Sequence, residues 1–351
     1  MRIASAAALL LLAAPAWPRG GAGRMLKQLQ ETSGDAQIGV IRALGRGGQA
    51  KAAAPLLALF DVRKDSPRRS AALAEALGRL RAPEAGEPLL GAWDYLLGLR
   101  LQMDLTAQVQ VLRGAVVEAL GEIGGEGAAK VLGEALSDPD PVVVESAVRA
   151  LGRMRDRKNL DSLIELSRQG GNIGQAACEA LGRIGDAKAQ PPLARALASE
   201  NPIDGVPAAY GLALMGKKEG FARLEALVAG HEGGDNPALA WRVRLLAAAY
   251  LARLDKKAGL DFLVGVLESK AELELKIPAA EALGKSENPR AALPLVEASG
   301  AAEADLRLMI ARGLGRLGGS RAVRGLRELA GDSNLAVRSA AAAALADLGD
   351  D

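Results

Sequence analysis

The sequence predicts an all-α fold, a right-handed solenoid of stacked helical hairpins, and three observations carry that prediction. A leucine returns ten times, at Leu44, Leu77, Leu120, Leu151, Leu181, Leu212, Leu251, Leu283, Leu314 and Leu345. Nine of the ten are followed twelve residues later by another, at Leu56, Leu89, Leu132, Leu163, Leu193, Leu224, Leu263, Leu295 and Leu326. Around the first leucine, apolar residues stand at minus 8, minus 4, 0 and plus 3, one stripe of a 3.6-residue helix. Leu112, Val116, Leu120 and Ile123 show it, as do Val337, Ala341, Leu345 and Leu348. Self-similarity at this period marks helical pairs that can cover their apolar faces only by stacking.

In chain order, the first segment reads as an address. Arg2 precedes an apolar run from Ile3 to Ala14, and Ala14-Pro15-Ala16 supplies small residues for cleavage. This is the form of a secretory signal peptide, and the run falls short of the roughly 18 residues needed to span a bilayer. Residues 1–16 are therefore expected to direct export to a periplasm or extracellular space, with no membrane span after cleavage. Residues 17–36 form a lead-in, and residues 37–351 the array, about nine helical pairs and a C-terminal capping helix.

Within each unit the first helix ends near its leucine. Glycine follows that leucine at Gly45, Gly78, Gly121, Gly152, Gly182, Gly284 and Gly315. Glycine near a helix end costs up to about 1 kcal/mol relative to alanine, so its recurrence implies close approach of a neighbouring backbone. A second glycine, at Gly124, Gly185, Gly216, Gly318 and Gly349, fits the left-handed residue that ends a helix. Proline at Pro67, Pro141, Pro202 and Pro237 fits helix starts, where its missing donor does no harm.

Stretches such as Asp138-Pro139-Asp140-Pro141 leading to Ala150-Leu151-Gly152-Arg153, and Glu179-Ala180-Leu181-Gly182-Arg183-Ile184-Gly185-Asp186, carry a resemblance. So does Leu335-Ala336-Val337-Arg338 running to Leu348-Gly349. The chain resembles the HEAT-repeat family, most closely the short HEAT-like type named after phycobilisome lyases, over residues 37–349. The resemblance implies a HEAT-like superhelix. It does not imply one activity, because every matching residue has a packing or capping task. Its relatives include chromophore lyases, which leaves a lyase-like subunit as the alternative function, and an iron-dependent hydroxylase that relies on several His-Glu pairs.

Composition narrows the chemistry. The 351 residues hold 44 basic against 42 acidic side chains, one histidine and one cysteine. Near-neutral charge and three each of Trp, Tyr and Phe remove the electrostatic and stacking drives for nucleic acid. Cys178, among Ala176, Ala177 and Ala180, reads as a small core residue. A single histidine gives no Ser-His-Asp set, and His231-Glu232 cannot supply the three or four ligands of a metal site. No catalytic residue, metal or cofactor is expected, and the chain reads as a non-enzymatic scaffold for a protein partner.

Departures from the period indicate where a partner would bind. Leucine-to-leucine spacing is 30 to 33 except for 43 between Leu77 and Leu120 and 39 between Leu212 and Leu251. Both additions fall in connections between units, on one edge of the stack, where insertions are often functional. The first carries Trp93 and Tyr95; the second carries His231 and leads to Trp241. These four are partner-binding candidates, with core packing the other reading of the tryptophans and a solvated loop that of His231. Arg321, Arg324 and Arg327, three apart on the last second helix, partly share a face and read either as a solvated face or as candidates for an acidic partner. Basic residues two places after the leucine, including Arg153, Arg183, Arg253 and Lys285, fit either a helix-dipole role or an anion-binding ladder.

Overall fold

The structure, a computed structural model, describes residues 22–100, 107–199, 202–230 and 236–348. The leader at 1–16 and His231 lie outside the described residues. Those described are helical, without strands. α1 (Ala22–Glu31) leads in, and nine helical pairs follow. They are α2 (Gly34–Arg46) with α3 (Ala53–Ala58), α4 (Pro67–Arg79) with α5 (Gly86–Arg100), and α6 (Ala107–Ile123) with α7 (Glu126–Ala135). Next come α8 (Pro141–Met154) with α9 (Leu160–Leu166), α10 (Gly171–Ile184) with α11 (Gln190–Leu197), and α12 (Pro202–Leu214) with α13 (Lys218–Ala229). The last three are α14 (Pro237–Arg253) with α15 (Lys257–Glu268), α16 (Leu273–Lys285) with α17 (Ala292–Glu297), and α18 (Ala304–Leu317) with α19 (Gly319–Leu329). α20 (Leu335–Asp347) closes the series. The array divides into two compact units, one spanning Leu26–Phe262 and the other containing Leu263–Asp351.

Both units follow one rule: first helices stack on first helices, as α4 on α6, α8 on α10, α16 on α18 and α18 on α20. The repeating leucines of both series are buried except Leu345, which is half-buried on α20. The residues four before the first leucine, from Val40 to Ala341, are all buried as well. Burial of a leucine is worth about 1.5–3 kcal/mol, so these positions carry the stack.

The glycine after each leucine has the steric cause its recurrence implies. A Cβ on Gly45 would lie 2.6 Å from Ala76 Cα, one on Gly78 2.7 Å from Ala119 Cα, and one on Gly152 2.7 Å from Ala180 Cα. In Gly121, Gly182, Gly284 and Gly315 the same virtual atom collides with Ala150, Gly211, Gly313 and Ala344. Each obstructing residue immediately precedes the next leucine and is itself alanine or glycine. At these junctions the stack pinches to a point where only a hydrogen and a methyl, or two hydrogens, fit; Ala213 and Ala252 stand in place of the glycine after Leu212 and Leu251.

Helix ends follow a second rule. Gly48, Gly124, Gly185, Gly216 and Gly318, four after their leucines, have φ between 61° and 80°. Arg81, Arg155, Asp255 and Glu287 hold that same place at φ of 49° to 57°, so the left-handed turn is imposed by the repeat even where glycine is missing. Pro67, Pro141, Pro202 and Pro237 each open a helix, and Ser66, Asp140 and Asn236 cap theirs by accepting from Arg69, Val142 and Leu239 backbone N–H groups. The 43-residue interval lengthens α5 and α6 to 15 and 17 residues.

Gly152→Ala should destabilise the protein by about 1–3 kcal/mol, although alanine is the better helix former. Urea unfolding of the pair checks this; an unchanged or raised midpoint would remove the pinch as the reason for glycine.

Candidate functional site

The residue seven before the first-helix leucine makes notable contacts in several repeats. In the groove between α5 and α7 that residue is Arg113. Its side chain is fully buried and forms an ion pair with Asp138, itself 1 % exposed, while its guanidinium lies 5.4 Å from the Trp93 ring centroid. Burying two charges is tolerable only when they meet each other. Trp93, 1 % exposed, is thus the wall of an internal ion pair and not a partner anchor. The expectation for this residue is corrected: four residues past Leu89 on α5, it faces into the groove.

Three more arginines stand at the same register, Arg244, Arg307 and Arg338, the last donating from Nη1 to the Asp332 and Ser333 carbonyls. Arg244 of α14 donates from Nε to the Val228 carbonyl at 3.0 Å and lies 5.0 Å from the Trp241 ring and 4.7 Å from that of Phe262. Trp241 and Phe262 are half-buried around it, 6.1 Å apart. Arg307 of α18 holds the Asp332 carboxylate with Nε and Nη2 at 2.7 and 2.9 Å, and donates from Nη1 to the Ala301 and Ala302 carbonyls. Asp332 is drawn down to about 2 by the Arg307 hydrogen bond, helped by the Asn334 backbone N–H.

Other grooves are open. At the same register α10 has Gly174, and a cavity of about 340 Å³ lies there, lined among others by Ser167, Pro192, Arg195, Ser199 and Asp204. In the second unit α16 has Lys276, beside a cavity of about 370 Å³ with Leu267, Pro294 and Leu306 in its walls and Glu297 and Glu303 at its rim. Pro192 and Pro294 both precede their second-helix leucine.

The remaining expected residues are dispersed over the array. Tyr95 is half-buried on α5, with the Arg63 guanidinium 5.5 Å from its ring. Arg321, Arg324 and Arg327 are exposed on α19, opposite the buried Ala322, Gly325, Leu326 and Leu329. Arg307, from the same basic stretch, is committed to Asp332. Several basic residues two after the leucine are tied to carboxylates: Arg153 to Glu122 at 3.3 Å, Arg183 and Arg253 to Glu179 at 2.9 and 2.8 Å, and Lys285 to Glu281 at 2.6 Å. At these positions ion pairs replace the anion-binding ladder.

Around Glu179 the structure shows a cluster that sequence reasoning missed. Burial opposes its charge, but hydrogen bonds and charge from Arg253 and Arg183 outweigh it and hold the carboxyl below its ordinary range. The Arg253 guanidinium lies 5.2 Å from the Tyr210 ring, which stacks on Tyr250 at 4.2 Å and 6°. Glu179 and Arg253 are 74 residues apart, so no local spacing marked them. Burial, with the Asp204 charge, pushes the neighbouring Cys178 thiol up to about 12, which favours its protonated form at neutral pH.

Residues 102–172 and 293–351 match the family described as HEAT repeats, and residues 175–199 match the PBS lyase HEAT-like repeat. No curated protein matches the chain. Among solved structures, human deoxyhypusine hydroxylase in complex with glycerol aligns over 77 % of this chain and 100 % of its own, at 17 % identity and a TM-score of 0.38. The complex of CpcE and CpcF of phycocyanin lyase from Nostoc sp. PCC7120 aligns over 90 % and 96 %, at 19 % identity and a TM-score of 0.36. Both neighbours are enzymes by name, which corrects the expectation that this chain is not one. At these scores no reaction passes from them to this chain.

The Arg307–Asp332 clamp should make stability depend on acid. The Asp332 carboxyl titrates at 3.8 when unperturbed and at about 2 in the fold, so its stabilising contribution is complete above about pH 4 and is lost as pH falls toward 2. Thermal midpoints followed between about pH 5 and pH 2 should fall more steeply in the parent than in Asp332→Asn. Coincident slopes would remove the clamp as a source of the dependence.

Proposed function

We propose that this HEAT-repeat protein, which carries a repeat of phycobilisome-lyase type, is a protein-binding helical-repeat subunit. Its partner is held along the edge where each second helix leads into the next pair. Stacking uses up the apolar faces of the pairs, so recognition falls to groove mouths, insertions and exposed charged faces. The observation that carries the reading is α19: three exposed arginines on one face, with its apolar residues turned into the stack. Such a face attracts an acidic partner.

Residues 1–16 are proposed to direct export, with cleavage after Ala16, so that the partner is met in a periplasm or outside the cell. No helix among the described residues is long and apolar enough to cross a membrane. A second reading is a lyase-like subunit, favoured by the lyase-type repeat at residues 175–199. The Nostoc phycocyanin lyase is a complex of two chains, and a subunit of that kind would also need a protein-binding surface.

Crosslinking in the native compartment, with identification of the attached protein, tests the first reading. Changing Arg321, Arg324 and Arg327 together to Glu should weaken retention of that protein by at least about tenfold, since like charges replace attraction. Unaltered retention by a variant of native helicity would reject the arginine face. A visible chromophore carried by the purified protein would favour the lyase-like reading.

A further inference from the structure

In the unit containing Leu263–Asp351, a cavity of about 370 Å³ lies among the end of α15, α17 and the start of α18. Residues 298–302, Ala-Ser-Gly-Ala-Ala, link α17 to α18 and carry no side chain larger than a serine hydroxyl. Ala298, Ala301 and Ala302 of this link face the cavity. Leu267 and Leu306, both buried, line it with Val264 and Pro294. Water held against such aliphatic walls is readily displaced by an apolar group.

The charged side chains of the lining are one-sided: Glu268, Glu297 and Glu303 stand against the ammonium of Lys276. Glu268 is the last residue of α15 and Glu297 the last of α17. A helix end is the negative pole, where a carboxylate is the less favourable charge, so neither helix gains by placing one there. Among the described residues, the side chains of Glu268, Glu297 and Lys276 hold no hydrogen bond or ion pair. The charge of Glu303 is felt by Arg307, whose guanidinium is committed to Asp332. The cavity is an apolar recess with a negative border.

We propose that this recess seats an aliphatic side chain of a protein partner, flanked in the partner by basic residues that lie on the glutamate border. The proposal rests on the protein-binding reading and names the chemistry of one contact. An aliphatic group matches walls of leucine, valine and proline, whereas a fatty acid or phospholipid would bring its own negative head to three carboxylates. Acidic flanks would meet the same repulsion. α17 packs on α19, so the helix that ends in Glu297 adjoins the helix with the exposed arginines. A partner reaching both would carry basic and then acidic residues, an order that fixes its direction.

Amide NMR of the full chain tests this with three N-acetylated, C-amidated tripeptides, Lys-Leu-Lys, Glu-Leu-Glu and Lys-Gly-Lys, and with octanoate. Lys-Leu-Lys should shift the Glu268, Ala301 and Leu306 amides in a saturable way, and the other probes should not. Added salt should weaken the response, because the border is solvated. Glu268→Gln combined with Glu297→Gln should weaken it by at least about tenfold. Ala301→Leu, which keeps every carboxylate, should fill the recess and abolish it; helicity and the urea midpoint of each variant establish that the fold is retained. No saturable shift from Lys-Leu-Lys, an equal shift from any other probe, or a response unchanged in the glutamine variant would overturn the proposal. Because the probes need no partner, failed partner capture with a normal probe response would count against the binding reading alone. A captured partner with a silent recess would count against the recess alone.

Discussion

Within each unit the stack depends on one recurring steric constraint, the point where successive first helices touch with almost nothing between them. Glycine after the leucine and a small residue before the next one let the backbones meet. Closely packed interiors tolerate few voids and little excess volume, so that contact fixes how each pair sits on the last. It also explains why the step from first to second leucine is invariant at twelve while all length variation falls in the connections.

Between the stacked pairs the protein also holds several arginines. Arg113, Arg244 and Arg307 share a register but not a partner: a buried carboxylate, a carbonyl between two rings, and a carboxylate with two carbonyls. The guanidinium suits all three because its donors are rigid, planar and weakly hydrated. Charge is thus drawn into the structure rather than displayed, and the paired cations after the leucines follow the same economy.

Much of the fold was legible in the sequence because its causes are local. Helix starts at Pro67 and Pro141, left-handed ends at Gly124 and Gly185, and buried leucines follow from spacing within one helix or one turn. The close approach at Gly152 was legible as a need. Its counterpart was overlooked, although the alanine or glycine just before the next leucine was present as a signal. Trp93 was misplaced because an aromatic beside an insertion looks alike whether it faces solvent or a groove, and only the orientation of α5 against Arg113 separates the two.

By itself the sequence determined the repeat, the class of fold and the helix boundaries, since these rest on side-chain periodicity and backbone preference along a continuous segment. Tertiary structure alone decided which charges neutralise one another and which grooves remain open. Glu179 meets Arg253 across 74 residues, and Arg307 meets Asp332 across 25. Contacts of that kind depend on how far and at what angle one pair lies on the next, a geometry that no local run of residues encodes.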